Sequence, residues 1–252
     1  MSEAARVFDL AEVSRRELNQ ALHDAPDGEA FEIVNPRGAH AVACGITANI
    51  DVVVRGSVGY YCAGMHQRGR VLVEGNASTG LAENIMSGAV HITGNATMSA
   101  GATGCGGLVV VGGNAGARCG ISMKGADIVV GGNVGHMSAF MAQAGNLAVC
   151  GDAAADLGDS IYEAQIFVRG DVESLGADCV EKEMRPEHLD LVGRLLAAAG
   201  GAADGAAPRD FRRYGSARRL YNFTIDDVDA LAAAEAGPGA EAGQEAGQEA
   251  ER

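Results

Sequence analysis

The apolar residues of this chain come in pairs spaced two apart, and the pairs return every 19 residues. Val52, Val71, Val90, Val109, Ile128, Leu147 and Ile166 form one column; Val54, Val73, Ile92, Val111, Val130, Val149 and Val168 form the other. All are aliphatic and nearly all are β-branched, and a spacing of two puts both columns on one face of a strand, the buried one. Two positions further on stand Gly56, Gly75, Gly94, Gly113, Gly132, Gly151 and Gly170. Each is followed by a small polar turn former: Ser57, Asn76, Asn95, Asn114, Asn133, Asp152 and Asp171. Every unit is thus a short strand that ends in a tight turn. A second corner is marked by Gly69, Gly88, Gly107 and Gly145, with Ala126 and Ala164 in the two remaining slots.

A short strand with one apolar face cannot stand alone, and 19 residues are too few for a sensible strand–helix–strand crossover. Stacking the units in parallel satisfies both constraints, with the aliphatic columns filling a continuous interior and the Asn residues stacked as an amide ladder. The pattern therefore predicts an all-β fold, a parallel β-helix of about seven turns and about 30 Å in length. Left-handed β-helices use coils of 18 with an aliphatic residue every six, and calcium-binding ones repeat G-G-x-G-x-D. Neither pattern is present, so a right-handed helix with irregular corners is expected.

The flanks read differently. Residues 1–30 hold a capping helix that opens at Asp9-Leu10-Ala11-Glu12, carries Leu10, Val13, Leu18 and Leu22 as its stripe, and stops at Pro26-Asp27-Gly28. The β-helix occupies 31–184, with 31–50 as an imperfect first coil. Within 185–230, Pro186 to Ala199 forms a second helix ended by Gly200-Gly201. An unusual segment follows, Arg209 to Tyr221, in which five Arg and three aromatics occupy thirteen residues. Residues 231–252 are rich in Ala, Glu, Gly and Gln and are expected to be disordered.

Composition narrows the function. With 37 Gly but only 5 Pro in 252 residues and no Gly-X-Y period, the chain is not collagen-like. A net charge of −14 disfavours nucleic acid or an anionic membrane as the main partner. No apolar run is long enough to span a bilayer and the start lacks a secretion signal, so the cytoplasm is the expected location. Cys44, Cys62, Cys105, Cys119, Cys150 and Cys179 show neither C-x-x-C nor zinc-ribbon spacing, and read as packing residues.

Candidate chemistry is sparse. None of His23, His40, His66, His91, His136 and His188 falls in a metal-binding spacing, and Asp156, Asp159, Glu163 and Glu173 read as a solvated acidic edge. The Gly-rich strings match no phosphate loop, and the repeat accounts for them. The outward face of the strands is more informative. Val53, Leu72, His91, Val110, Val129, Ala148 and Phe167 lie there, and six of the seven are apolar where a solvated face would be polar. Such a stripe needs a cover, either a partner protein, which is favoured, or a terminal segment of the chain. Val53, Leu72, Val110, Val129 and Phe167 are therefore candidate docking residues. So are Arg212, Arg213, Tyr214, Arg218, Arg219 and Tyr221, because Arg with aromatics is the composition of binding anchors. The alternative is that this segment folds back on the chain's own acidic surface.

Once the Gly-Asn period is set out, the chain resembles the GXGXG β-helix domain. That domain forms the C-terminal part of the glutamate synthase large subunit, and also occurs as one of the subunits of formylmethanofuran dehydrogenase. The resemblance covers roughly Phe31 to Met184. Closer matches are Ser57 to Gly64, Arg118 to Gly125, Gly135 to Gln143, Gly158 to Ala164 and Phe211 to Phe223. These are similar to the middle subunit of the methylamine–glutamate N-methyltransferase (N-methylglutamate synthase) group.

The resemblance implies a scaffold that carries no catalytic, metal or cofactor-binding residue of its own. One partner subunit would be glutamine-amidotransferase-like; the other would bind FMN and, usually, an iron–sulfur cluster. The implied reaction is methylamine plus L-glutamate giving N-methyl-L-glutamate and ammonia, performed by those partners. Residue 2 is Ser, so no N-terminal Cys nucleophile could be unmasked, which fits the middle role. Two rivals stand beside it: a formyl-transfer complex of the formylmethanofuran dehydrogenase kind, and a stand-alone enzyme with a site around Cys119, Lys124, His136 and Asp159.

Overall fold

The structure is a computed structural model that describes residues 5–218. Residues up to Ala217 form one compact unit; of a second, which starts at Arg218, only that residue is described. Arg219, Tyr221 and the segment 231–252 lie outside the described residues.

The aliphatic pairs do form strands. β1 (Arg6–Asp9), β2 (Ala30–Val34), β3 (Asp51–Arg55), β4 (Arg70–Val73), β5 (Ala89–Ile92) and β6 (Leu108–Val111) run parallel and side by side in chain order. β7 (Lys124–Val130), β8 (Ala144–Val149) and β9 (Gln165–Val168) continue the same order. From β3 to β9 residues pair with the one 19 positions on, as in Val52↔Val71 and Val71↔Val90, except that Lys124 at the start of β7 pairs with Ala144 across a register shift. The first coil is longer, since Phe31 pairs with Val52. Both aliphatic columns are buried, at most 2% exposed. The result is a parallel β-solenoid of about seven turns with 19-residue coils.

Two further walls close each coil. Past the Gly-Asn corner, Val58, Ala77, Ala96, Ala115, Val134, Ala153 and Val172 bridge one another in parallel. The third wall is built from left-handed backbone. Tyr61, Ala63 and Met65 have φ of 61°, 52° and 56°, and the pattern returns 76 residues later at Met137, Ala139 and Met141. A left-handed residue costs about 1–2 kcal/mol when it is not Gly. What offsets it here is hydrogen bonding in both axial directions. Tyr61 N–H donates forward to Thr79 O (2.8 Å), while Ala63 N–H donates back to Val42 O (2.9 Å).

The polar column is a ladder in which each side-chain oxygen accepts the next coil's backbone N–H, with one amide-on-amide rung, from Asn95 Nδ2 to Asn76 Oδ1 at 3.3 Å. The Oδ1 of Asn95 accepts the backbone N–H of Asn114, that of Asn114 accepts Asn133 N–H, and that of Asn133 accepts Asp152 N–H, each at 2.8 Å. Only an oxygen is required, so Ser57 and Asp152 serve as rungs too. The ladder also fixes the glycines beside it. A Cβ at Gly132 would sit 2.2 Å from Asn114 Oδ1. At the other corner Gly88 is needed for its φ of +77° as well.

At the N-terminal end, α1 (Arg15–His23) begins later than expected. Ser14 is its cap: Ser14 Oγ accepts Glu17 N–H, and Glu17 Oε2 accepts Ser14 N–H. Asp9 instead ends β1, where its carboxylate accepts the N–H of Ala11 and the amide of Asn35. Leu18 and Leu22 are fully buried in the core. At the far end come β10 (Cys179–Lys182), α2 (Pro186–Ala199) and β11 (Arg212–Ser216). β11 lies antiparallel between β9 and β10. No helix among the described residues is long and apolar enough to cross a membrane.

Candidate docking surface

The outward strand column is divided by the chain itself. α2 lays Val192, Leu195, Leu196 and Ala199 over Val110, Val129, Ala148 and Phe167, and Phe211 completes this second apolar core. Val110, Val129 and Phe167 are at most 1% exposed. The partner expected over these three is thus the chain's own helix, whose apolar residues recur at three- and four-residue steps and present one stripe.

Val53, Leu72 and His91 stay outside that cover and remain half-buried. They floor a groove that starts where α2 ends. One part, about 160 Å³, is lined by Asp51, Val53, Arg70, Leu72 and His91. An adjoining part of about 330 Å³ shares Leu72 and His91 and reaches Ala199, Gly201 and Ala202 at the end of the helix.

The rims are charged but internally paired. Arg70 Nε lies 2.9 Å from Asp51 at the groove, and at the other end of β3 Arg55 is held between Glu32 (2.7 Å) and Glu74. Burial, with Arg70 nearby, lowers the pKa of His91, so its ring is neutral at pH 7. An uncharged floor between satisfied rims suits an apolar protein segment better than a small ion.

The Arg/aromatic segment is mostly spent inside the fold. Arg213 is 4% exposed with Nε donating to Glu183 O (2.9 Å), and Tyr214 is 2% exposed in the main core. Neither is free to dock a partner. Antiparallel pairing to β9 sets Tyr214 beside Ile166 on the core face and Arg213 beside Phe167 on the opposite, helix-covered face, so the segment folds back onto the chain itself. Arg212 is exposed, but its guanidinium donates to Gly170 O at 2.6 Å. Elsewhere that carbonyl position accepts the next coil's Gly N–H, as Gly151 O accepts from Gly170, so Arg212 supplies the missing rung. Arg218 is exposed at the end of the described residues.

The residues of the stand-alone enzyme are not brought together. Cys119 faces the core, fully buried, and burial pushes its thiol up to about 12. Lys124 and His136 are on the outside, and His136 pairs with Asp156 at 3.5 Å. The carboxylate of Asp159 accepts Ser160 Oγ–H and Ala177 N–H. A protonated thiol buried in the core, with His136 and Lys124 exposed on the outer surface, does not form a nucleophile–base pair with them. Among the described residues no three His, Cys, Asp or Glu side chains converge as metal ligands would. The columns from Gly56 to Gly170 and from Asn76 to Asn133 serve the coil geometry.

These features define a parallel β-solenoid with an apolar groove beside its covering helix. Within that class the chain is 60% identical over 227 residues to Protein GlxC of Rhizobium meliloti (strain 1021), spanning 89% of this chain and 99% of that protein. It belongs to the GlxC family. No family model matches the chain. No solved structure matches it.

Proposed function

We propose that the chain is a non-catalytic scaffold of a glutamate-synthase-like complex in the cytoplasm. It docks a glutamine-amidotransferase-like subunit and an FMN-binding synthase-like subunit, the latter holding any iron–sulfur cluster. The complex is of the N-methylglutamate synthase kind, and its chemistry, methylamine plus L-glutamate to N-methyl-L-glutamate plus ammonia, belongs to the partners. One observation carries the reading: the repeat spends its polar groups on its own coils, yet leaves a groove over Val53, Leu72 and His91 uncovered. The likeness of Ser57 to Gly64, Arg118 to Gly125, Gly135 to Gln143, Gly158 to Ala164 and Phe211 to Phe223 to the middle subunit of the N-methylglutamate synthase group supports the choice of complex.

The test is affinity purification of the tagged chain from its own cells. Two further subunits should follow it, one with flavin absorbance, and turnover of methylamine with glutamate should need the assembly. Turnover by the isolated chain, or recovery of the chain with nothing bound, would overturn the proposal.

A further inference from the structure

The left-handed wall collects exposed apolar side chains. Eight large hydrophobic residues stand exposed among the described residues, and six of them are Tyr60, Met65, Met86, Met98, Met141 and Tyr162. The 19-residue coil places these six in three columns, five and two positions apart along the coil: Tyr60 with Met98, Met65 with Met141, and Met86 with Tyr162. All three columns border or form the left-handed segment. Exposures of 42–52% on residues of roughly 200 Å² leave about 550 Å² in all, at the upper end of the largest patch a monomer shows, a size that is often functional, and short of the ~800 Å² a standard interface buries per side.

Two cations stand in this surface. Lys124 lies in the Met86 column and Arg118 in the column that continues one coil on as Met137; both are exposed, and neither makes an ion pair among the described residues. Methionine adapts its shape to an apolar partner. Cations inside such a patch gain most when a carboxylate meets them as water leaves. A second copy is a poor occupant, since each chain carries a net charge of −14.

We infer that this wall is a second docking surface, for a different protein that presents aromatic and aliphatic anchors with carboxylates opposite Arg118 and Lys124. The inference rests on the scaffold reading for the existence of partners. The strands and this wall are different walls of the coil and pack their inward residues onto the same core, so their outward faces point in different directions. One partner in the α2 groove and another on the wall can therefore bind together.

Methionine oxidation tests it. Hydrogen peroxide gives one oxygen to the thioether sulfur and leaves as water, and mass spectrometry reads the sulfoxide at each site. The probe is the chain alone against the chain in its complex with the amidotransferase-like and FMN-binding subunits. Met65, Met86, Met98 and Met141 should oxidise at least about fivefold more slowly in the complex, with buried Met123 protected in both. Arg118→Glu with Lys124→Glu should release one subunit, retain the other, and leave the melting temperature of the chain unchanged. Equal oxidation in an assembled complex overturns this inference and leaves the scaffold reading intact. Protection that grows with the concentration of the isolated chain assigns the wall to a second copy and overturns it as well. If no complex is recovered, both readings fall.

Discussion

A Cβ at Gly132 would meet Asn114 Oδ1 at 2.2 Å and the carbonyl carbon of Gly113 at 3.0 Å. Both are fixed by the ladder, so neither can retreat. Gly132→Ala is expected to destabilise the chain by about 3 kcal/mol, read as a fall in urea midpoint. Gly28→Ala is the control: its φ is +93° but nothing lies within 4 Å, so only backbone strain of about 1 kcal/mol should appear. The oxygen ladder makes a second forecast. Asn114→Asp keeps the acceptor for Asn133 N–H and should be nearly neutral, whereas Asn114→Ala should cost about 1 kcal/mol. The column of Gly and small polar residues was legible in the sequence because every coil repeats it. Its chemistry is less so: an Asn-rich column suggests stacked amides, which occur once, from Asn95 to Asn76, while the distances show the repeated rung to be oxygen on backbone N–H. The same periodic reading passed over Met65, Met86, Met98 and Met141, because a 19-residue column with mixed polar neighbours carries no hydropathy signal.

His66 illustrates how an element's interior sets a pH response. It is fully buried in the column that continues as Ile85, Met123 and Ile161. Its Nε2 meets Gly69 O at 3.2 Å, while Nδ1 has no partner. Burial lowers its pKa below the ordinary 6.5, so the folded state resists the proton that the unfolded chain accepts. Stability is therefore complete above pH 6.5 and falls as pH drops below it. His66→Ile, matching the Ile85 of the next coil, should flatten the decline in melting temperature between pH 7.5 and 5.5. The covering helix gives the other test at this scale. Leu195→Ala should cost about 2–3 kcal/mol in urea unfolding, because Leu195 is 4% exposed in the second core. The bounds of α2 were legible, since Pro186 and Gly200-Gly201 punctuate it. Its seat was not: an apolar column states that something covers it and leaves the identity of the cover open. α1 was misplaced for a related reason, as Asp9-Leu10-Ala11-Glu12 and Ser14-Arg15-Arg16-Glu17 both carry cap-like spacing. β1 takes the first for sheet pairing.

For the whole molecule, the question is what the uncovered half of the strand column does. α2 shields that column over β6 to β9, and the groove over β3 to β5 continues the same apolar line beyond the helix end. Were the groove only an unfinished core, a charge there would cost stability and nothing else. A docking role predicts the reverse. Val53 and Leu72 are half-buried but line an open groove, so Val53→Glu and Leu72→Glu can turn their carboxylates to water and should change stability by less than about 0.5 kcal/mol. In a complex those carboxylates would be buried without a partner, at a cost of several kcal/mol. Pull-down with each variant should therefore lose one subunit at unchanged melting temperature. Retention of both subunits at wild-type level would remove the groove from the docking surface and leave its apolar floor as a gap in the chain's own cover.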